Sequence, residues 1–303
     1  MKKILIIYYT QTGQLKQIVD SITEPMKDDC QLFFEELRPV PSYPFPWNGM
    51  PFFQVFPESV REIPCELEPL ANNPDLDYDL VILAYQVWYL SPSVPVTSFL
   101  KSEAARKILK DKPVITVLGV RNMWIMAQER VKAMIAGAGG KYCGNIVMAD
   151  PADNLTSVIT IVRWMMKGEK TPFRWMGINF PAAGVPEEEI GRGGEYGRLI
   201  MHYLKSSFTG ELQEDLVRQG AVKVNPVLYR IEKTGKRIFG IWSKLVLAKG
   251  GYNDPAREGR LKAFQYYLFA VIYLVSPIVA AVNRLIFMVN PGAARKIVDR
   301  FSR

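Results

Sequence analysis

"KILIIYYTQTGQL", residues 3–15, joins two kinds of sequence. The run 3–9 is almost wholly apolar, the pattern of a strand buried on both faces of a parallel sheet. From Gly13, "GQLKQIVDSITEPM" (13–26) spaces Leu15, Ile18, Val19 and Ile22 as one face of a helix. Between strand and helix stand Thr10, Gln11, Thr12, Gly13 and Gln14. In a parallel sheet this turn faces the crevice at the carboxyl ends of the strands. The next helix points free N–H groups and a positive dipole end the same way. Thr10, Gln11, Thr12 and Gln14 add side-chain donors, and Gly13 lets the backbone turn tightly. Neutral donors with a dipole suit a phosphate monoester. "GQLK" lacks the Lys of a Walker loop, and no GxGxxG is present, which disfavours a classical dinucleotide fold. The same residues also read as a helix cap that holds no ligand.

Working outward, the alternation repeats. "CQLFFEEL" (30–37), "YDLVILAYQ" (78–86), "KPVITVLGV" (112–120) and "YCGNIVMAD" (142–150) read as further strands. Helical stretches fall at 95–111, 123–140 and 186–207. Alternating elements of these lengths predict an α/β fold with a five-stranded parallel sheet, doubly wound. "MADPADN" (148–154) reads as a turn and helix cap.

The chain has 303 residues, 49% of them hydrophobic, enough for a sizeable core. Cys30, Cys65 and Cys143 form no CxxC pair and no disulfide framework, which fits a reducing cytoplasm. The opening apolar run is too short for a signal peptide. One histidine, His202, and three scattered cysteines supply no metal site. His202 reads as structural or solvated.

Two segments exceed a minimal sheet. Residues 38–77 are rich in proline and aromatics, and prolines bar ordinary helix or strand there. The insertion is either a surface wrap over a sheet edge or an apolar lid over a cleft. The C-terminal part is basic: residues 223–262 carry +7 and 263–303 carry +4, which leaves the first 222 residues at −3 in a chain of +8. "AFQYYLFAVIYLVSPIVAAV" (263–282) runs 20 residues without a charge. Basic residues flank both sides, so the positive-inside rule gives no orientation; a hairpin or interfacial segment would put both basic ends on the cytoplasmic side, and a helix docked on the α/β body is the alternative to membrane association. The expected organisation is a domain over 1–208 and a basic, apolar helical extension over 209–303. A near-neutral body with a basic tail signals a partner, either nucleic acid or an anionic membrane. The membrane is preferred, because the basic residues lie beside an apolar segment and no nucleic-acid module is visible.

Two more loops converge on the first turn. The third strand ends in "LAYQVWYLSPSVPV" (83–96), where Trp88 and Tyr89 could stack on a planar ring. The fourth ends in "LGVRNMW" (118–124), with Gly119 for close approach and Arg121 and Asn122 as donors. Together they describe a pocket for a phosphorylated aromatic cofactor.

On these residues the chain resembles the flavodoxin-like FMN proteins over about residues 1–205. "KILIIYYTQTGQL" is similar to their phosphate loop, "AYQVWYLSPS" to their second flavin loop, and "LGVRNMW" stands where their third does. The resemblance implies strand order 2-1-3-4-5 and FMN at the switch point. It assigns Thr10, Gln11, Thr12, Gly13, Gln14 and Leu15 to the phosphate. Tyr85, Gln86, Val87 and Trp88 go to the ribityl chain and ring, and Gly119, Val120, Arg121 and Asn122 to the pyrimidine side. Leu15 stands where the family has a Thr, so one hydroxyl contact is missing. The start, "PFPW" (44–47), "QVWYLSPS" and the long tail also resemble a narrower bacterial group that accompanies ketosynthases in dialkylresorcinol and flexirubin pigment synthesis. That likeness implies an FMN-dependent oxidoreductase that aromatises a 2,5-dialkylcyclohexane-1,3-dione, with a ketosynthase as partner and the inner face of the cytoplasmic membrane as location. Arg121 would then stabilise an enolate or the reduced flavin, and Tyr85 or Tyr89 would relay a proton. Three other readings stand beside it: an NAD(P)H-dependent flavin or quinone reductase, a flavodoxin-type electron carrier, and a non-enzymatic membrane-associated protein.

Overall fold

The computed structural model describes residues 1–206, 208 and 211–302. Strands β1 (Lys2–Tyr8), β2 (Cys30–Glu36), β3 (Leu80–Tyr85), β4 (Pro113–Val120) and β5 (Lys141–Ala149) form one parallel sheet in the order β2-β1-β3-β4-β5. This is the flavodoxin-like order, which reverses between β1 and β3. Helices α1 (Gln14–Thr23), α2 (Met50–Gln54), α3 (Phe56–Arg61), α4 (Val94–Leu100), α5 (Glu103–Leu109) and α6 (Ile125–Gly137) lie within the connections, and α7 (Asn154–Lys167) follows the last strand. After them come α8 (Glu187–Gly191) and α9 (Gly193–Lys205). The extension holds α10 (Leu212–Arg218), α11 (Pro226–Leu247), α12 (Glu258–Ala270), α13 (Ser276–Val289) and α14 (Pro291–Ser302).

Strand β1 shows why the sheet is covered on both sides. Its successive side chains point to opposite faces. Ile4 and Ile6 pack with Leu15, Ile18 and Ile22 of α1 and Ile200 of α9. Leu5 and Ile7 pack in a second core with Phe99 of α4, Ile108 of α5 and Val131 of α6. The helix expected over 95–111 is two helices, because Ser102 interrupts it and caps α5 by accepting from the Ala105 N–H at 3.1 Å. Asp153 likewise caps α7, accepting from Leu155 and Thr156 N–H at 2.9 and 3.2 Å.

The prolines of 38–77 do not bar helix. Pro51 and Pro57 sit in the first turns of α2 and α3, where a missing N–H costs nothing. A short antiparallel pair, Pro39–Val40 with Glu66–Leu67, closes the base of the insertion.

The expected boundary at 208/209 does not separate two packing units. Along the β5 edge the Asn145 N–H donates to Gln213 Oε1 at 2.7 Å and the Val147 N–H to the Ala221 carbonyl at 2.8 Å. Residues 213 and 221 thus close an edge that would otherwise stand open. The insertion and extension also meet: Phe56 and Phe264 stack at 3.7 Å between ring centroids. Beside them Arg257, with no exposed surface, donates to both carboxylate oxygens of Glu58 at 2.7 and 2.9 Å.

A helix of 35 residues, Pro255–Val289, is long and apolar enough to cross a membrane by length and composition. It is docked on the body, as the Arg257–Glu58 pair and buried Ser276 and Asn283 show, while Leu274 and Ile278 on its outer side are 69% and 66% exposed.

Removing one partner of a fully desolvated ion pair leaves an uncompensated charge. Arg257→Met should therefore cost about 3–5 kcal/mol in urea denaturation, and adding Glu58→Gln should return most of it.

Candidate functional site

The turn after β1 is held by its own hydroxyls. Thr10 Oγ1 accepts from the Gly13 N–H at 3.1 Å and Thr12 Oγ1 from the Gln14 N–H at 3.4 Å. Gly13, at φ 82°, takes the left-handed conformation that starts α1. The Gln11 N–H donates to Gln86 Oε1 at 3.1 Å, which joins the first loop to the second.

The two glutamine side chains correct an expectation. Gln14 Nε2 donates to the Val185 carbonyl at 2.9 Å, and its Oε1 accepts from the Val185 N–H at 3.0 Å. Gln11 Nε2 donates to the Pro44 carbonyl at 2.8 Å, and its Oε1 accepts from Tyr9 OH at 2.5 Å. Both amides are engaged in tying distant segments together, so neither is a free donor for a phosphate. The N–H groups of Thr12 and Leu15 and the Thr hydroxyl protons remain.

The second loop is a tight hairpin, Val87–Trp88 against Ser91–Pro92. Its two central residues, Tyr89 and Leu90, have φ of 48° and 59°. Asn-Gly is the usual occupant of such a turn, and a left-handed side-chain-bearing residue costs roughly 1–2 kcal/mol. The hairpin is pinned by Tyr89 OH donating to the Phe52 carbonyl at 2.7 Å and Ser59 Oγ donating to the Trp88 carbonyl at 2.8 Å. Trp88 lies edge-on to Tyr43, Trp47 and Tyr9, at 5.2, 5.5 and 5.7 Å between centroids.

The three loops meet at a cavity of about 230 Å³ at the carboxyl edge of the sheet. Its polar lining comes from Gln11, Thr12, Gln14, Gln86 and Arg121, and Leu15, Val87, Trp88, Tyr89, Gly119 and Val120 of the same loops also line it. The rest is apolar: Trp47, Phe52 and Val55 come from the insertion, and Ile161, Trp164 and Met165 from α7. The Trp47 N–H donates to the Met165 carbonyl at 2.8 Å, so the two walls are linked. The 38–77 insertion thus covers a cleft. Among the described residues that line the cavity, Tyr89 and Arg121 are the titratable ones.

Four expected site residues lie elsewhere. Thr10 and Gly13 shape the turn without lining the cavity. Tyr85 is buried on the opposite face, where its OH donates to Gln128 Oε1 at 2.5 Å, so it cannot relay a proton to the cavity. Asn122 opens on a second cleft, against α13, and its Nδ2 donates to Asn154 Oδ1 and Ser157 Oγ at 3.3 Å each. Tyr89 lines the cavity, but desolvation pushes its hydroxyl pKa well above the usual value and its proton is held by Phe52, so it is no relay either. Arg121 Nη1 donates to Asn154 O, Asn154 Oδ1 and Ser157 Oγ at 3.0, 2.8 and 3.1 Å. Burial lowers its pKa to about 10, opposed by Asp150 and Glu232, and it stays cationic at neutral pH.

Sequence reading missed the α7 wall, although Asp153 and Gly168 bracket that helix as cap and stop. It also missed Gly184, at φ 83°, where a Cβ would lie 2.6 Å from both Gln14 Oε1 and the Trp164 ring.

No family model and no curated protein matches the chain. Among solved structures it is similar to a flavoprotein from Lactobacillus acidophilus NCFM in complex with FMN, at 18% identity and a TM-score of 0.41, covering 48% of this chain and 93% of that one. It is also similar to a Fusobacterium nucleatum flavodoxin bound to flavin mononucleotide, at 17% identity and a TM-score of 0.36, covering 69% of this chain and 100% of that one. Likenesses this low say nothing of this chain's chemistry.

Gly184→Ala should destabilise the protein by roughly 1–3 kcal/mol, since strained backbone and overpacking act together. The change in urea midpoint, at unchanged m-value, measures it.

Proposed function

We propose that the cavity binds FMN and that the protein is an FMN-dependent oxidoreductase for a lipophilic substrate, working at a membrane surface. One observation carries the reading. A donor-rich turn at the start of α1, an aromatic hairpin and the Gly119–Arg121 loop line one cavity beside the β1/β3 reversal, where open α/β sheets bind ligands.

The residues present fit the group. The Thr12 hydroxyl at the cavity and the neighbouring Thr10 hydroxyl only accept within the turn and keep their own protons to give; with the N–H groups of Thr12 and Leu15 they would hold the phosphate. Gln86, Val87 and Trp88 would flank the ring system on one side, and Gly119, Val120 and Arg121 on another. The cavity is smaller than the roughly 300–1,000 Å³ of common ligand sites, so binding requires the Trp47–Val55 segment to shift outward. When bound, FMN supplies a two-electron acceptor.

The lining also speaks to the substrate. The cavity offers no carboxylate or imidazole as a general base among the described residues, and one cation, Arg121. That set suits a substrate that ionises unaided, such as a cyclohexane-1,3-dione, whose enolate Arg121 would pair with. Aromatising the dione to a resorcinol removes a hydride and a proton from the ring, and the hydride and its electron pair go to the cofactor. Alkyl chains would lie against Trp47, Phe52 and the α7 residues, with roughly 25 cal/mol per Å² of buried apolar area. A ketosynthase that makes such a dione would be the partner. An electron carrier presents its flavin edge to other proteins, whereas here the insertion covers the cavity.

The outer side of α12 and α13 would rest on lipid. Tyr266, Leu274, Ile278, Val282 and Leu285 are exposed there, and Lys262 and Arg284 stand beside them. The helix is held to the body at Arg257, Ser276 and Asn283, which favours an in-plane position over a span.

Two measurements test this. Purified protein, alone or after adding FMN, should show oxidised-flavin absorption; a protein that binds no FMN ends the reading. Thr10→Val with Thr12→Val should weaken FMN roughly tenfold or more while leaving riboflavin binding unchanged, since hydrogen bonds to a charged group are worth about 1.5–3 kcal/mol each. Separately, the protein should sediment with anionic vesicles, and Leu274→Asp with Ile278→Asp should release it. Equal sedimentation of the variant removes the membrane part alone.

A further inference from the structure

Helix α11 touches both loops that wall the cavity, although its sequence lies far from either. Glu232, only 1% exposed, accepts from the Met126 N–H at 2.7 Å and the Ile125 N–H at 3.3 Å. These are the first N–H groups of α6, whose own N-cap position holds Trp124 and makes no side-chain cap. The extension thus supplies the cap that the Gly119–Trp124 loop lacks. One turn further on, Lys236 Nζ donates to Ser91 Oγ in the Tyr89–Leu90 hairpin. A Cβ on Gly235 would lie 3.1 Å from Leu90 Cδ1, so the helix backbone presses directly on that turn. Phe239 packs edge-on against Phe56 at 5.5 Å and Tyr89 at 6.3 Å. Residues 232, 235, 236 and 239 form one helical face, aimed at the cavity's walls.

We propose that Glu232 and Lys236 are positioning residues: α11 fixes the Gly119–Arg121 loop and the Tyr89–Leu90 turn, so the ring side of the cavity exists only while the extension is docked. The inference rests on the FMN reading and assigns the ring side of that same site to a second part of the chain.

The two contacts act by different physics. Tyr89 and Leu90 occupy a backbone conformation that side-chain-bearing residues avoid, and such a turn persists only where its surroundings hold it. Lys236, Gly235 and Phe239 do so from one side. Glu232 works through charge. As a carboxylate it accepts both α6 N–H groups; protonated, it turns one oxygen into a donor and keeps one good acceptor. Burial pushes its pKa up to about 7, opposed by the two N–H groups, Lys236 and Arg121. Tyr85 of β3 also feels its charge. Lys236 is lowered to about 8 by burial, with Glu62 and Glu232 opposing and Arg130 adding to it. The folded pKa of Glu232 lies above its ordinary value, so the carboxylate, and with it the anchored loop, is gained as pH rises through about 7.

The test uses the full chain with riboflavin, which lacks the phosphate, and FMN as probes. Wild-type riboflavin affinity should rise between about pH 6 and about pH 8. Glu232→Gln should bind riboflavin roughly fivefold to tenfold more weakly at the upper end and show a flat profile. Its FMN-to-riboflavin affinity ratio should stay at the wild-type value, because the phosphate end is untouched. Lys236→Met should weaken riboflavin similarly, and adding Leu90→Gly, which relieves one of the turn's two left-handed side-chain-bearing residues, should restore at least half of the lost affinity on a logarithmic scale. Wild-type riboflavin affinity and pH profile in Glu232→Gln, whatever its melting temperature, overturn the proposal, as does failure of Leu90→Gly to rescue a weakened Lys236→Met. If wild type binds neither flavin, the FMN reading itself has failed.

Discussion

A parallel sheet covered by helices on both faces has little room for chemistry except at the ends of its strands. In this chain the covering follows from the alternation in β1: Ile4 and Ile6 go to one core, Leu5 and Ile7 to the other. With both faces filled, the connections after β1, β3 and β4 emerge side by side, and the reversal of strand order between β1 and β3 opens a crevice among them. The insertion and α7 close over that crevice from outside. Apolar stripes that stabilise the fold and polar turns that line the cavity are therefore two results of one arrangement.

The extension is part of the same arrangement. It seals the β5 edge, pairs Arg257 with Glu58 beneath the insertion, and brings α11 against two loops of the cavity. A buried carboxylate such as Glu232 is expensive to desolvate, and an apolar residue would pack there at lower cost. Its placement at the bare end of α6 makes sense as the fixing of a loop whose position matters.

The five strands were legible because each is a short apolar run between turn residues, and their observed bounds fall within about three residues of the expected ones. The covering helices were legible by period, but not the break at Ser102, which a cap decides locally. The prolines of the insertion misled because Pro51 and Pro57 stand in first turns, a position that sequence composition does not distinguish. At the site, placements were legible where the loop itself decides the geometry, as with Thr12, Trp88 and Arg121, which line one cavity. They were misread where a distant partner decides it. Gln14 is engaged by Val185 and Gln11 by Pro44, and Tyr85 differs from Gln86 by one step of strand alternation, enough to send it to the other face. Glu232 and Lys236 carry no local signal, since their meaning lies in contacts with residues more than a hundred positions away.

The seal along β5 has a practical corollary for anyone who would study the α/β part by itself. A fragment ending before Leu212 would lose both Gln213 and Ala221, leaving two amides of an outermost strand without acceptors. Such a strand is a template for self-association, and fragments would pair laterally with one another instead of remaining single particles in solution. The short stretch 212–221, which stands ahead of the basic, lipid-like helices at the start of the extension, is what keeps the rest of the chain from clumping.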